Sequence, residues 1–95
     1  MSAIIIGGNE CMGRKYCDIC EKYNIRARVI PLKKGSFANQ LGQPDYIFVC
    51  MDTVSHPLML SASREAKKHG ATLVKLPRGS ASALERELKR VTAMA

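Results

Sequence analysis

Tyr46-Ile47-Phe48-Val49-Cys50-Met51 is an almost wholly apolar run that stops at polar Asp52-Thr53. A strand with one wet face alternates apolar and polar side chains; a continuous run fits a strand covered by helices on both faces, as in a parallel sheet. Upstream, Ser2-Ala3-Ile4-Ile5-Ile6 repeats that reading and ends in Gly7-Gly8, which marks a tight turn after a buried central strand. Between these two runs Met12, Tyr16, Ile19 and Tyr23 recur at helical spacing, and Asn24 suits the helix end. Ile25, Ala27 and Val29 then alternate with Arg26 and Arg28 before Pro31, the pattern of an edge strand, which Lys33-Lys34-Gly35 closes.

Ser36 predicts a single helical turn through Phe37 to Leu41, stopped by Gly42 and Pro44. Downstream of the central run, Pro57 fits the start of a helix capped near Ser55 or His56, which passes through Ala62 and Ala66 to Lys67-Lys68-His69 and Gly70. Ala71 to Leu76 reads as a fourth strand closed by Pro77-Arg78-Gly79. Ser82 and Glu85 have the spacing of a capping box for a last helix whose inner face is Leu84, Leu88 and Val91. Strands alternating with helices imply parallel pairing and right-handed crossovers. The predicted architecture is a small three-layer α/β domain of Rossmann-like or flavodoxin-like type. Its four-stranded parallel sheet has order 2-1-3-4 with helices on both faces, in a single domain over residues 1–95.

Composition agrees with that architecture. With 95 residues, 46 % of them apolar and 24 % charged, the chain has room for one folded core and is too hydrophobic for a disordered segment. No apolar run approaches the roughly 18–20 residues of a transmembrane helix, and no basic start with an apolar h-region precedes the first strand, so the expected location is cytoplasmic. Fifteen Lys and Arg against eight Asp and Glu give a net charge of +7, which favours anionic partners. The basic residues are dispersed from Arg14 to Arg90, and no aromatic residues interleave with them as a base-stacking surface requires. Nucleic acid is therefore not the favoured partner.

In a doubly wound sheet ligands bind beyond the carboxyl ends of the strands, where strand order reverses, here between the first and third strands. That edge gathers Gly7, Gly8 and Asn9 from the first loop and Asp52, Thr53, Ser55 and His56 from the third. Arg78, Ser80 and Ser82 come from the fourth, with Arg14 beside the first. Loops of small and hydroxyl residues running into helix starts present amides and a positive dipole end to an anion. The same serines serve equally well as plain helix caps. The ligand-binding set expected from the sequence is therefore Gly7, Gly8, Asn9, Arg14, Asp52, Thr53, Ser55, His56, Arg78, Ser80 and Ser82.

Catalytic patterns fail at their specific positions. Gly8 to Lys15 approaches a phosphate-binding loop, but Arg14 replaces its lysine and Lys15 replaces the hydroxyl that holds magnesium. Asp52 stands where bacterial receiver domains place a phospho-acceptor, yet Gly7-Gly8 replaces the acidic pair that would bind the metal. Cys50 precedes His56 where a phosphatase loop needs arginine. No nucleophile, base and orienting group assemble, so the expectation is no catalytic residues and a noncatalytic role.

Of the four cysteines, Cys17 and Cys20 form a C-x-x-C without a second such pair, and Cys50 sits in an apolar strand as a small hydrophobe. Cys11 lies near a helix start beside Arg14 and Lys15, a setting that favours the thiolate. An alternative is thus a haem or transition-metal module using His56 with Cys11 or Cys20. His69, in a last helical turn, reads as a cation placed for the dipole.

Ile5-Ile6-Gly7-Gly8, Met12 and Tyr16 with Cys20 following, Pro44-Asp45, Thr53-Val54-Ser55-His56 and the serines at Ser80 and Ser82 together resemble the bacterial domain-of-unknown-function 2325 family over nearly the whole chain. The resemblance implies a small α/β fold and supplies no reaction. Cys11 and Cys17 lie outside its pattern, which moves weight toward Asn9, Ser55 and His56. The leading expectation is a noncatalytic binding or sensory module, a homodimer, holding a small anionic ligand such as a nucleotide or phosphorylated metabolite. The haem or metal module and a basic nucleic-acid or protein adaptor are its alternatives.

Overall fold

The computed structural model describes residues 1–7, 13–30 and 44–94. Its elements are β1 (Ser2–Ile6), α1 (Gly13–Lys22), β2 (Arg26–Ile30), β3 (Tyr46–Cys50), α2 (His56–His69), β4 (Thr72–Leu76) and α3 (Ala81–Met94). The four strands form a parallel sheet of order β2-β1-β3-β4. Ile4 pairs with Arg28 on one side and Ile47 on the other, and Phe48 pairs with Val74. The predicted turn at residues 36–41 lies outside the described residues.

The period of two in each strand sends alternate side chains to opposite faces. Ala3, Ile5, Phe48, Cys50, Val74 and Leu76 meet Tyr16, Ile19 and Cys20 of α1 and Leu84, Leu88 and Val91 of α3. Ile4, Ile6, Ile47 and Val49 face the other way, against Met59, Ala62 and Ala66 of α2. Every residue of β3 is buried, as its unbroken apolar sequence requires of a strand between two helical layers. On β2, Arg26 and Arg28 are exposed while Ala27 and Val29 pack inward, the edge-strand pattern read from the sequence.

Helix ends use the residues the sequence offers. Asn24 adopts φ 60°, and the amides of Asn24 and Ile25 donate to the carbonyls of Glu21 and Cys20, closing α1 with a Schellman motif. Gly70 does the same for α2 at φ 69°. Ser55 caps the start of α2 by accepting from the Leu58 amide at 3.4 Å. At α3 the structure corrects the sequence reading: the cap is Ser80, whose Oγ accepts from the Ala83 amide at 3.2 Å, and Ser82 lies inside the first turn. The helix starts two residues earlier than a Ser82 cap allows, immediately after the Pro77-Arg78-Gly79 bend. Among the described residues no helix is long and apolar enough to cross a membrane.

Candidate functional site

β1 and β3 are neighbours whose following helices lie on opposite faces of the sheet, so their carboxyl ends flank the point where strand order reverses. Gly7 ends β1 with φ 85° and is buried. A Cβ there would stand 2.6 Å from Val54 Cγ2 and 2.8 Å from Thr53 Oγ1. Only glycine lets the first strand's backbone approach the loop after β3 this closely. That loop is itself folded tightly on the Cys50 carbonyl, which accepts from the amides of Thr53 and Val54 and from Thr53 Oγ1.

A third loop joins them. The Gly79 amide donates to Asp52 Oδ1 at 3.1 Å, and the Gly79 carbonyl accepts from the Tyr16 hydroxyl. Tyr16 is 1 % exposed, held in the core on α1. One peptide segment after β4 is therefore gripped by the loop after β3 and by the helix after β1. Sequence reading placed Tyr16 in the core and missed this link. The signal available was chemical, since a buried tyrosine hydroxyl needs an acceptor, but spacing does not name the acceptor.

Around this junction Arg14, Thr53, Ser55, His56, Arg78 and Ser82 are exposed and Ser80 is half-buried. Lys15 is exposed beside Arg14. Gly8, Asn9 and Cys11 of the expected set lie outside the described residues. Ser55 and Ser80 are occupied as caps, and Asp52 already accepts the Gly79 amide, so part of the expected donor set serves the loops themselves.

Cys20 is separated from His56. Cys20 is fully buried between α1 and the sheet, and its carbonyl caps α1 at the sheet's amino edge. His56 opens α2 at the carboxyl edge, over the other face. Burial, reinforced by the neighbouring Cys17, pushes the Cys20 thiol up to about 12. Burial and then the Asp52 charge push Cys50 up to about 11. Cys17 is raised by burial and by Asp18 and Glu21, and its Sγ donates to the Ala27 carbonyl at 3.5 Å. Thiols so raised are protonated and poor nucleophiles at neutral pH. Among the described residues no three His, Cys, Asp or Glu side chains converge as a metal site. His69 pairs with Glu65 at 3.3 Å, one turn earlier.

A broad open groove of about 780 Å³ lies at the opposite, amino edge of the sheet, between Asp18, Glu21, Arg26 and Asp45. Asp45 there accepts the Ser2 amide at 2.8 Å and so helps pair the chain. Among its side chains the carboxylates of Asp18, Glu21 and Asp45 outnumber the Arg26 guanidinium, which suits this groove poorly to an anion.

The family model described as "Uncharacterized protein conserved in bacteria (DUF2325)" matches residues 2–91. The chain is similar to the solution NMR structure of a de novo designed Rossmann 2x2 fold protein. The TM-score is 0.62 at 15 % identity, over 97 % of this chain and 86 % of that one. At that identity the likeness establishes the fold alone. No curated protein matches the chain.

Proposed function

From the premise that the chain belongs to the DUF2325 family of bacterial proteins, we propose that it is a noncatalytic binding or sensory module. It holds a small anionic ligand, a nucleotide or phosphorylated metabolite, at the carboxyl edge of its sheet. The observation that carries this reading is the meeting, at one edge, of the strand-order reversal with exposed Arg14, Lys15 and Arg78. The groove at the amino edge is lined by Asp18, Glu21 and Asp45 together with Arg26. The net charge of +7 attracts anions to the whole molecule. Burial and raised pKa keep the Cys20 and Cys50 thiols from acting as nucleophiles. Unpaired Cys17, Cys20 and Cys50 suit a reducing, cytoplasmic setting, and a core this small favours a homodimer.

Native mass spectrometry of freshly purified protein reads ligand and assembly together. The expected result is a dimer carrying the added mass of a phosphorylated compound, lost after extensive dialysis at high salt. A bound haem or metal mass, or protein whose mass is unchanged by millimolar inorganic phosphate, contradicts the reading.

A further inference from the structure

Resting on the homodimer reading, we propose that the surface joining the two copies is the outer edge of β4, paired antiparallel with β4 of a second copy of this chain about a two-fold axis at Val74. β4 ends the sheet, with β3 on one side and, among the described residues, no strand on the other. The Thr72 amide donates to the Asp45 carbonyl, and the Leu76 carbonyl accepts from the Met51 amide. In a parallel ladder alternate residues turn both backbone groups to the same side, so Leu73 and Lys75 present their amides and carbonyls outward. With the axis at Val74, Leu73 and the partner's Lys75 exchange both backbone bonds, and the symmetric pair does the same. Val74 is the middle residue of β4, so this register pairs the whole strand. α3 and α2 pack against β4 from opposite faces, so the joint continues both helical layers along with the sheet.

Charge selects this edge over the one at β2. β2 exposes Arg26 and Arg28 on one face. Self-pairing about Ala27 sets Arg26 against the partner's Arg28 at both ends, and like charges directly opposite destabilise a pair of strands. The outward carbonyl of Ala27 also already accepts from Cys17 Sγ at 3.5 Å. β4 carries a single charge, Lys75. The Val74 axis sets Lys75 beside the partner's Leu73, along which its methylene stem lies while the ammonium stays in water. An axis at Lys75 would set ammonium against ammonium, so the same lysine that blunts the edge toward other pairings favours this register.

Sedimentation equilibrium of the full chain, wild type beside Leu73→Glu and Leu73→Lys, tests edge and register together. Both substitutions give up the same leucine contacts and differ in the charge set against the partner's Lys75. The expected result is a wild-type dimer, with Leu73→Glu associating at least about tenfold more tightly than Leu73→Lys. The double variant Leu73→Lys with Lys75→Glu regains the tight association. Hydrogen exchange on the wild-type chain reads the same edge if a Leu73 variant fails to fold. The Leu73 and Lys75 amides are protected in the dimer and lose that protection on dilution to monomer, whereas the Val74 amide, which faces β3, keeps its own. A wild-type dimer whose two Leu73 variants associate equally, or whose Leu73 and Lys75 amides exchange freely, overturns the β4 edge and leaves the homodimer reading standing. A wild-type chain that stays monomeric at every concentration overturns both.

Discussion

The Gly79 amide donates to the Asp52 carboxylate at 3.1 Å, which ties the loop after β4 to the loop after β3 across the carboxyl edge of the sheet. Because Tyr16 holds the other side of the same residue, the edge is braced from the core outward. A site built on braced loops is preset, and its contacts need not be assembled at the moment of binding.

Removing the Tyr16 hydroxyl tests the brace. Tyr16→Phe keeps the ring in the core and leaves the Gly79 carbonyl short of a donor, so stability falls by about 0.5–1.5 kcal/mol. Exchange of the Gly79 amide hydrogen accelerates, whereas exchange in β3 changes only as global stability does. Unaltered Gly79 exchange would show that Tyr16 does not hold the loop.

Gly7 is a tightly constrained backbone position of the edge. Gly7→Ala places a methyl 2.6 Å from Val54 Cγ2 on a residue at φ 85°, combining backbone strain with overpacking. The expected loss is about 2–4 kcal/mol in urea unfolding. A loss below about 1 kcal/mol would mean that the loop after β3 yields easily.

The two serines at the last helix separate cap from bystander. Ser80→Ala costs about 1 kcal/mol because the Ala83 amide loses its acceptor. Ser82→Ala stays within about 0.5 kcal/mol. The reverse order in paired thermal melts would restore the capping box that spacing alone favours.

The buried thiols make stability depend on alkaline pH. Cys20 and Cys50 titrate near 9 when unfolded and are pushed up to about 12 and about 11 when folded. Above pH 9 the folded state therefore binds more protons than the unfolded state, and stability falls as pH rises toward 11. Below about pH 8 neither thiol contributes an appreciable slope. Site-resolved labelling with a thiol reagent at pH 8 is expected to leave Cys20 and Cys50 unmodified in native protein, with both reacting once urea unfolds it. Prompt native labelling of Cys20 would contradict its burial.

Much of this fold is legible in the sequence because β1 and β3 are continuous apolar runs and β2 alternates, which together name two inner strands and an edge. Asn24 and Gly70 mark helix ends because few residues accept positive φ. Local signals misplace the start of α3, since Ser80 and Ser82 both precede apolar residues and only the geometry of the preceding bend chooses between them. The Tyr16, Gly79 and Asp52 link joins residues far apart in the chain, and no periodicity encodes such a pairing. Arg14, Arg78 and His56 were found by topology, which says which loops share an edge and leaves open what their side chains hold.

The central claim is that an anion binds at the carboxyl edge, beside Gly7 and the loops that follow β3 and β4. A titration of 15N-labelled protein with inorganic phosphate, followed amide by amide, tests it most directly. The account predicts saturable shifts at Gly7, Arg14, Lys15 and Thr53, weakening as salt is raised, with Arg26 and Asp45 at the opposite edge unmoved. Shifts centred on the amino-edge groove, or no saturable shift at any amide, would contradict it.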